Sequence, residues 1–214
     1  MDAYSETISM KTEMKFSIDF WNDCHYENFA KIANRFKKFE HEVEILEIGT
    51  FEGRTTTWIL ERIPNANVVC IEPEPFTNFH NNLDCWIESG RLKWIKEYSF
   101  EALIQQYLNG YKYDLIYIDG CHCAKCVLQD AILSWKVLKI GGILLFDDYQ
   151  MEIRDPWFYI SHKEFETNKK DGCMWIHPKQ AIDSFLSIYK GQYRIFVDNY
   201  QIGVEKICDT ANLN

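Results

Sequence analysis

Five short apolar runs recur along this chain, each separated from the next by a stretch with helical spacing. That alternation constrains the fold more than any other feature. The runs are Val43–Ile48, Val68–Ile71, Leu92–Ile95, Leu115–Ile118 and Ile143–Phe146. Between them, Arg54–Arg62 stops before Pro64, and Pro75–Glu88 carries a proline suited to a first helical turn. Phe100–Leu108 runs into Gly110, a helix stop signal. Ala124–Leu138 places Val127, Leu128, Ala131, Ile132, Trp135 and Leu138 on one face before Gly141–Gly142. Strands this apolar, joined by helices, pair side by side in a parallel sheet covered on both faces. The expected class is therefore α/β, doubly wound.

Ahead of the first strand, Phe29, Ile32, Ala33, Phe36 and Phe39 predict a helix over Glu27–Phe39. Residues 1–22 are polar and read as an N-terminal arm or lid. After Tyr149 the alternation breaks. Met151–His177 shows no period and reads as a long insertion, placed where a substrate lid would lie. Pro178–Tyr189 is helical, and Tyr193–Val197 and Ile202–Ile207 are close enough to form an antiparallel pair at the end of the sheet. With no internal repeat and no linker, residues 1–214 read as a single domain.

Composition narrows the function. The chain has 32 acidic and 23 basic residues, a net charge of −9. A surface that negative repels phosphate backbones, so no nucleic-acid partner is expected. No apolar core of a signal peptide stands in residues 1–20, and no run approaches the roughly 18 apolar residues that span a bilayer. No membrane partner is expected. The eight cysteines then read as free thiols in a reducing, cytoplasmic compartment.

In doubly wound sheets, ligands sit beyond the carboxyl ends of the strands, so the residues just after each run carry the chemistry. After the first stands Glu47-Ile48-Gly49-Thr50-Phe51-Glu52-Gly53-Arg54-Thr55. Its glycines let the backbone turn tightly, and the helix that follows offers N–H groups at its start. After the second stands Glu72-Pro73, a carboxylate able to accept from a ribose diol. After the fourth stands Asp119-Gly120-Cys121-His122, and after the fifth Asp147-Asp148-Tyr149.

This ordered set resembles the class I S-adenosylmethionine-dependent methyltransferases. The resemblance rests on Glu-x-Gly-x-x-x-Gly at 47–53, the acid Glu72, YIDGCH at 117–122 and GGILLFDDY at 141–149. More narrowly, it is similar to the branch of metal-dependent small-molecule and sugar O-methyltransferases, and NYQIGVEK at 199–206 resembles that branch's last hairpin. It runs from about Val43 to Lys206. It implies a Rossmann-like, seven-stranded sheet of order 3-2-1-4-5-7-6 with the last strand antiparallel. It implies that Glu47, Gly49, Thr50, Gly53 and Thr55 face the methionine part of the cofactor, and that Glu72 holds the ribose hydroxyls. Glu97, Tyr98 and Ser99 would lie by the adenine, with Asp119 completing the cofactor set. It implies a divalent cation, Mg²⁺ or another, on Asp119, Asp147 and Asp148.

The chemistry of the residues agrees. Three carboxylates in one cleft repel one another, and a hard cation removes that repulsion while leaving positions for a hydroxyl. The expected reaction is methyl transfer to a hydroxyl on a small molecule or sugar, with His122 as first candidate base and His177 or His162 as substitutes. Asp119 would share the catalytic role. Arg154, Trp157, Tyr159 and Trp175 read either as acceptor contacts or as a satellite core. Cys121-x-Cys123-x-x-Cys126 beside His122 could bind zinc, but the run straddles a strand end and a helix start, which favours free thiols. Two other readings stand beside this one: a protein that binds the cofactor without transferring methyl, and a different metal-dependent reaction on the same scaffold. A homodimer exchanging the arm or insertion is compatible with the sequence.

Overall fold

The computed structural model describes residues 13–18, 20–151 and 177–209. Among these, six helices and seven strands follow one another as α1 (Asp23–Phe36), β1 (Val43–Ile48), α2 (Arg54–Arg62), β2 (Ala66–Ile71), α3 (Phe79–Glu88), β3 (Leu92–Ile95), α4 (Ser99–Leu108), β4 (Tyr113–Ile118), α5 (Ala124–Val137), β5 (Leu138–Phe146), α6 (Pro178–Ile188), β6 (Tyr193–Asp198) and β7 (Ile202–Lys206). The strands form one sheet of order β3-β2-β1-β4-β5-β7-β6. The first five are parallel, and β7 runs antiparallel between β5 and β6. This is the Rossmann-like doubly wound sheet expected from the sequence, with the order reversing between β1 and β4.

Strand side chains alternate between two cores. Leu46 and Ile48 of β1 join the side packed by α4, α5 and α6, together with Ile116, Ile118, Trp135 and Phe185. Val43 and Ile45 join the side packed by α1, α2 and α3, together with Phe29, Ile59, Leu83 and Tyr117. Burial of each such side chain contributes about 1.5–3 kcal/mol, which is why the continuous apolar runs take central positions.

Several element boundaries differ from the sequence reading, and three of them have a local cause. Helix α1 starts at Asp23 rather than Glu27, because Asn22 caps it: its side chain accepts from the Cys24 and His25 N–H groups, while the His25 ring accepts from the Asn22 N–H. Helix α3 starts at Phe79, four residues after Pro75, with a turn between. Strand β5 starts at Leu138 rather than Ile143, so α5 passes straight into the sheet. Gly142 permits this, since a Cβ there would lie 2.9 Å from both the Leu138 side chain and the Lys139 carbonyl. The end of α5 is closed from across the sheet. Lys206, fully buried, donates from Nζ to the carbonyls of Trp135 and Leu138 at 2.9 and 3.0 Å. The insertion residues Arg154, Trp157, Tyr159, His162 and Trp175 lie outside the described residues, as does residues 1–12 of the arm.

Candidate active site

The hydrogen-bond ladder of the sheet continues one residue past the strand ends, and this sets the site. Glu72 N–H donates to the Ile95 carbonyl (3.1 Å), Gly49 N–H to Ile71 (3.0 Å), Asp119 N–H to Ile48 (2.8 Å) and Asp147 N–H to Ile118 (3.0 Å). Glu72, Gly49, Asp119 and Asp147 therefore stand in one row on β2, β1, β4 and β5. They come from four separate blocks of sequence, and they meet at the carboxyl rim across the switch point.

The glycines of the β1–α2 loop allow this closeness. Gly49 has φ +84°, and a Cβ on it would lie 2.1 Å from the Asp119 carbonyl oxygen. Gly53 has φ +82° and packs against Leu83, so α2 begins without a side-chain cap. Its first-turn N–H groups thus face the rim, where an anionic or polar ligand group fits.

Glu72, 7% exposed, accepts from the Thr50 and Phe51 N–H groups at 3.2 and 2.9 Å through one oxygen. It holds the loop in shape, and its other oxygen accepts from the Glu74 N–H at 3.4 Å. Glu47 lies beneath the loop, fully buried, and accepts from the hydroxyls of Thr50 (3.2 Å) and Thr56. Burial pushes its carboxyl up to about 8, against the pull of those hydroxyls. Thr55 is buried in the first turn of α2. Tyr98 is 70% exposed at the start of α4, and the Ser99 hydroxyl is engaged with Asp130 of α5.

Across the switch point, a cleft is lined by Asp119, Cys121, His122, Asp147, Asp148 and Pro178. Donor atoms of Asp119, His122 and Asp148 lie within 4.8 Å of one another, close enough to share a cation. Asp119 accepts from the Tyr117 hydroxyl at 3.1 Å. Asp148 accepts from the Tyr200 hydroxyl at 2.8 Å and faces His122 Nε2 at 3.1 Å. Burial, then the charges of Asp147 and Asp148, hold the Asp119 carboxyl well above the usual carboxylate range. Burial and Asp147 likewise raise Asp148. An acidic cluster of this kind fits a divalent cation, with Asp119 and Asp148 as oxygen donors and His122 beside them.

Of the three acids expected to hold a cation, Asp119 and Asp148 fall with His122 in one group of close donor atoms, and Asp147 stands beside it. Asp148 adopts a left-handed backbone, φ +56°, so the two neighbouring acids face different partners. Asp147 turns to His25 Nε2, 3.2 Å from its Oδ1, and accepts from Gln201 Nε2 at 2.9 Å. Burial pushes the Asp147 carboxyl up, yet the His25 and Gln201 contacts outweigh it and the net direction is down. His25 was missed in the sequence because it precedes the apolar stripe of α1. Its one signal there is the Asn22-x-x-His25 spacing of a capping pair.

His177 does not serve as a substitute base at this rim. Its Nδ1 accepts from the Lys179 N–H as the cap of α6, and its Nε2 lies 2.6 Å from the Met151 carbonyl. The cysteine run gives no closed metal site: the donor group found among the described residues contains no cysteine. Among the described residues, no helix is long and apolar enough to cross a membrane.

Fold and rim together define the class of Rossmann-like doubly wound domains with a cleft at the carboxyl ends of the strands. Residues 46–149 match a family model described as a methyltransferase domain. An uncharacterised protein of Acanthamoeba polyphaga mimivirus is 31% identical over 157 residues, covering 69% of this chain and 68% of that one. The MycE methyltransferase of the mycinamycin biosynthetic pathway, solved with Mg, SAH and mycinamycin VI, superposes with a TM-score of 0.61 at 16% identity over 92% of this chain. The chain spans about half the length of the MycE chains it matches. A candidate caffeoyl-CoA O-methyltransferase from Staphylococcus aureus superposes with a TM-score of 0.60 at 17% identity, covering 88% of this chain and 86% of that one. The chain belongs with the mimivirus protein in one family, and its residues 46–149 are those of a methyltransferase domain.

Proposed function

We propose that this methyltransferase acts on a hydroxyl of a small molecule or sugar, with a divalent cation at the rim. The observation that carries the reading is the row of Glu72, Gly49, Asp119 and Asp147, which brings a nucleoside-binding loop alongside a cluster of acids. S-adenosylmethionine supplies a methyl group on a sulfonium, and the chain's task is to position it and the acceptor. Gly49, Thr50 and Gly53 let the backbone approach the methionine part, with Glu47 and Thr55 supporting the loop from below. Glu72 accepts from the ribose hydroxyls. Tyr98 and Ser99 border the adenine.

Asp119 and Asp148 would hold the cation, Mg²⁺ or a similar ion, which would supply positive charge that favours ionisation of an acceptor hydroxyl. His122, partly exposed at the cleft, takes the acceptor's proton and is steadied by Asp148. The neighbours support the reading from outside: the MycE structures hold Mg and SAH on the same fold. The acidic charge of the chain supports a small acceptor over a nucleic acid.

The test is transfer of a labelled methyl group from S-adenosylmethionine to a panel of catechols, sugars and sugar conjugates, with and without EDTA. The expected result is transfer to a hydroxylated acceptor that EDTA suppresses and Mg²⁺ or Mn²⁺ restores. Transfer to nitrogen or carbon acceptors alone, or transfer indifferent to EDTA, contradicts the reading.

A further inference from the structure

Helix α1 carries two polar residues into the sheet face that is otherwise packed by Phe29, Ile32 and Phe36. His25 and Asn28 are 2% and 0% exposed, and lie one helical turn apart on one side of the helix. Asn28 Nδ2 donates to Gln201 Oε1 at 3.0 Å, which turns the Gln201 amide so that its Nε2 donates to Asp147. His25 reaches the same carboxylate. The α1 cap holds His25 Nδ1 against Asn22, 3.2 Å from its N–H and 2.9 Å from its Oδ1, so Nε2 is the ring nitrogen that faces Asp147. Trp21 stacks along one face of the imidazole, and Tyr200, the donor to Asp148, lies 5.3 Å away between ring centres. Gln201 Nε2 is also 3.4 Å from the Tyr117 hydroxyl that donates to Asp119.

Buried polar groups cost free energy unless each is paired, and this set is paired throughout. Its contacts reach the acidic cluster by two routes: His25 faces Asp147 directly, and Asn28 acts through Gln201, which touches Asp147 and the Tyr117 hydroxyl on Asp119, while Asn28 also pairs with Asn199 and His25 with Asn22. Surrounding hydrogen bonds of this kind orient the carboxylates and imidazoles of metal sites, and their loss weakens metal binding by about 10–100-fold.

We propose that His25 is a positioning residue of the methyltransferase site: through Asp147 it fixes the acidic cluster, so that α1 completes a cation site whose other residues come from the ends of β4 and β5. The inference rests on the reading of Asp119 and Asp148 as cation ligands. It assigns α1 a role in the chemistry that its sequence, an apolar stripe with a capped start, does not announce.

The experiment is Mn²⁺ binding followed by electron paramagnetic resonance, in the presence of SAH, for the wild-type chain, His25→Phe and His25→Gln. Phenylalanine keeps the ring contacts with Trp21 and Tyr200 but removes the donor; glutamine restores an N–H. His25→Phe is expected to weaken Mn²⁺ at least tenfold, and His25→Gln to recover most of that loss, while SAH affinity by calorimetry stays within about twofold in both. A lower melting temperature with unchanged Mn²⁺ affinity in His25→Phe makes the role purely structural and overturns the proposal. If His25→Phe does not fold, Asp147→Asn reads the same link, with a tenfold loss supporting it and wild-type affinity overturning it. Failure of the wild-type chain to bind Mn²⁺ overturns the cation reading itself, and the role of His25 with it.

Discussion

At the scale of single residues, two histidine–carboxylate pairs and one buried acid carry the testable chemistry. His122 faces Asp148 at 3.1 Å and sits at the cleft. Loss of a positioned base costs about 10²–10⁴ in rate, so His122→Ala is expected to lower kcat by that order while SAH affinity is retained, which steady-state kinetics and calorimetry separate. Glu47 behaves differently. Its folded-state value of about 8 stands above the usual 4.5, so the native state binds its proton more tightly than the unfolded chain does. The stability this confers is complete below pH 4.5 and is lost as pH rises through 8. At roughly 1.4 kcal/mol per unit, the loss across that window is on the order of 5 kcal/mol. Glu47→Gln cannot ionise, so its melting temperature is expected to vary less between pH 5 and 8 than that of the wild-type chain. Equal slopes in thermal melts contradict the buried neutral acid.

At the scale of elements, the segment before α1 is tied to the loop that shapes the cofactor side of the rim. Lys15 exchanges two backbone hydrogen bonds with the Asn82 side chain, at 2.9 and 2.7 Å. Asn82, on α3, also donates to the Glu52 carbonyl at 2.8 Å. Ser17 binds the Glu52 carboxylate through both its N–H and its hydroxyl, each at 2.6 Å. Asn82 is 1% exposed, so Asn82→Ala leaves buried partners unmet. A cost of about 2–3 kcal/mol is expected in urea unfolding, with faster proteolytic cleavage ahead of residue 20. Unchanged stability and cleavage contradict the tether. None of this was legible in the sequence, where residues 1–22 read only as a polar arm. The apolar period of α1 was legible, but its first turn was not: a histidine in place of the usual acid at the third helical position hid the cap. The start of β5 was hidden for a related reason. Leu138 fits the helical stripe of α5 equally well, and only pairing with Tyr113 puts it in the sheet.

At the scale of the molecule, the strand order was implied by the resemblance to the methyltransferases, while the shared rim could be read because each glycine or acid block stood at a strand end and parallel strands bring such ends together. Which partners the two neighbouring acids face could not be read, because Asp147 and Asp148 part company through one left-handed residue. The net charge of −9 belongs to this scale too. It predicts no retention of RNA in a filter-binding assay at low salt. Salt-sensitive retention contradicts a small-molecule acceptor.

The central claim is that Gly49, Glu72 and Asp119 form one surface that holds a sulfonium nucleoside. Calorimetric titration of SAH into the wild-type chain and into Glu72→Ala tests it directly. Saturable one-to-one binding by the wild-type chain, weakened about tenfold or more in a folded Glu72→Ala, is the result expected from the loss of a buried carboxylate that meets two ribose hydroxyls. No binding by the wild-type chain, or equal affinity in the two proteins, contradicts it.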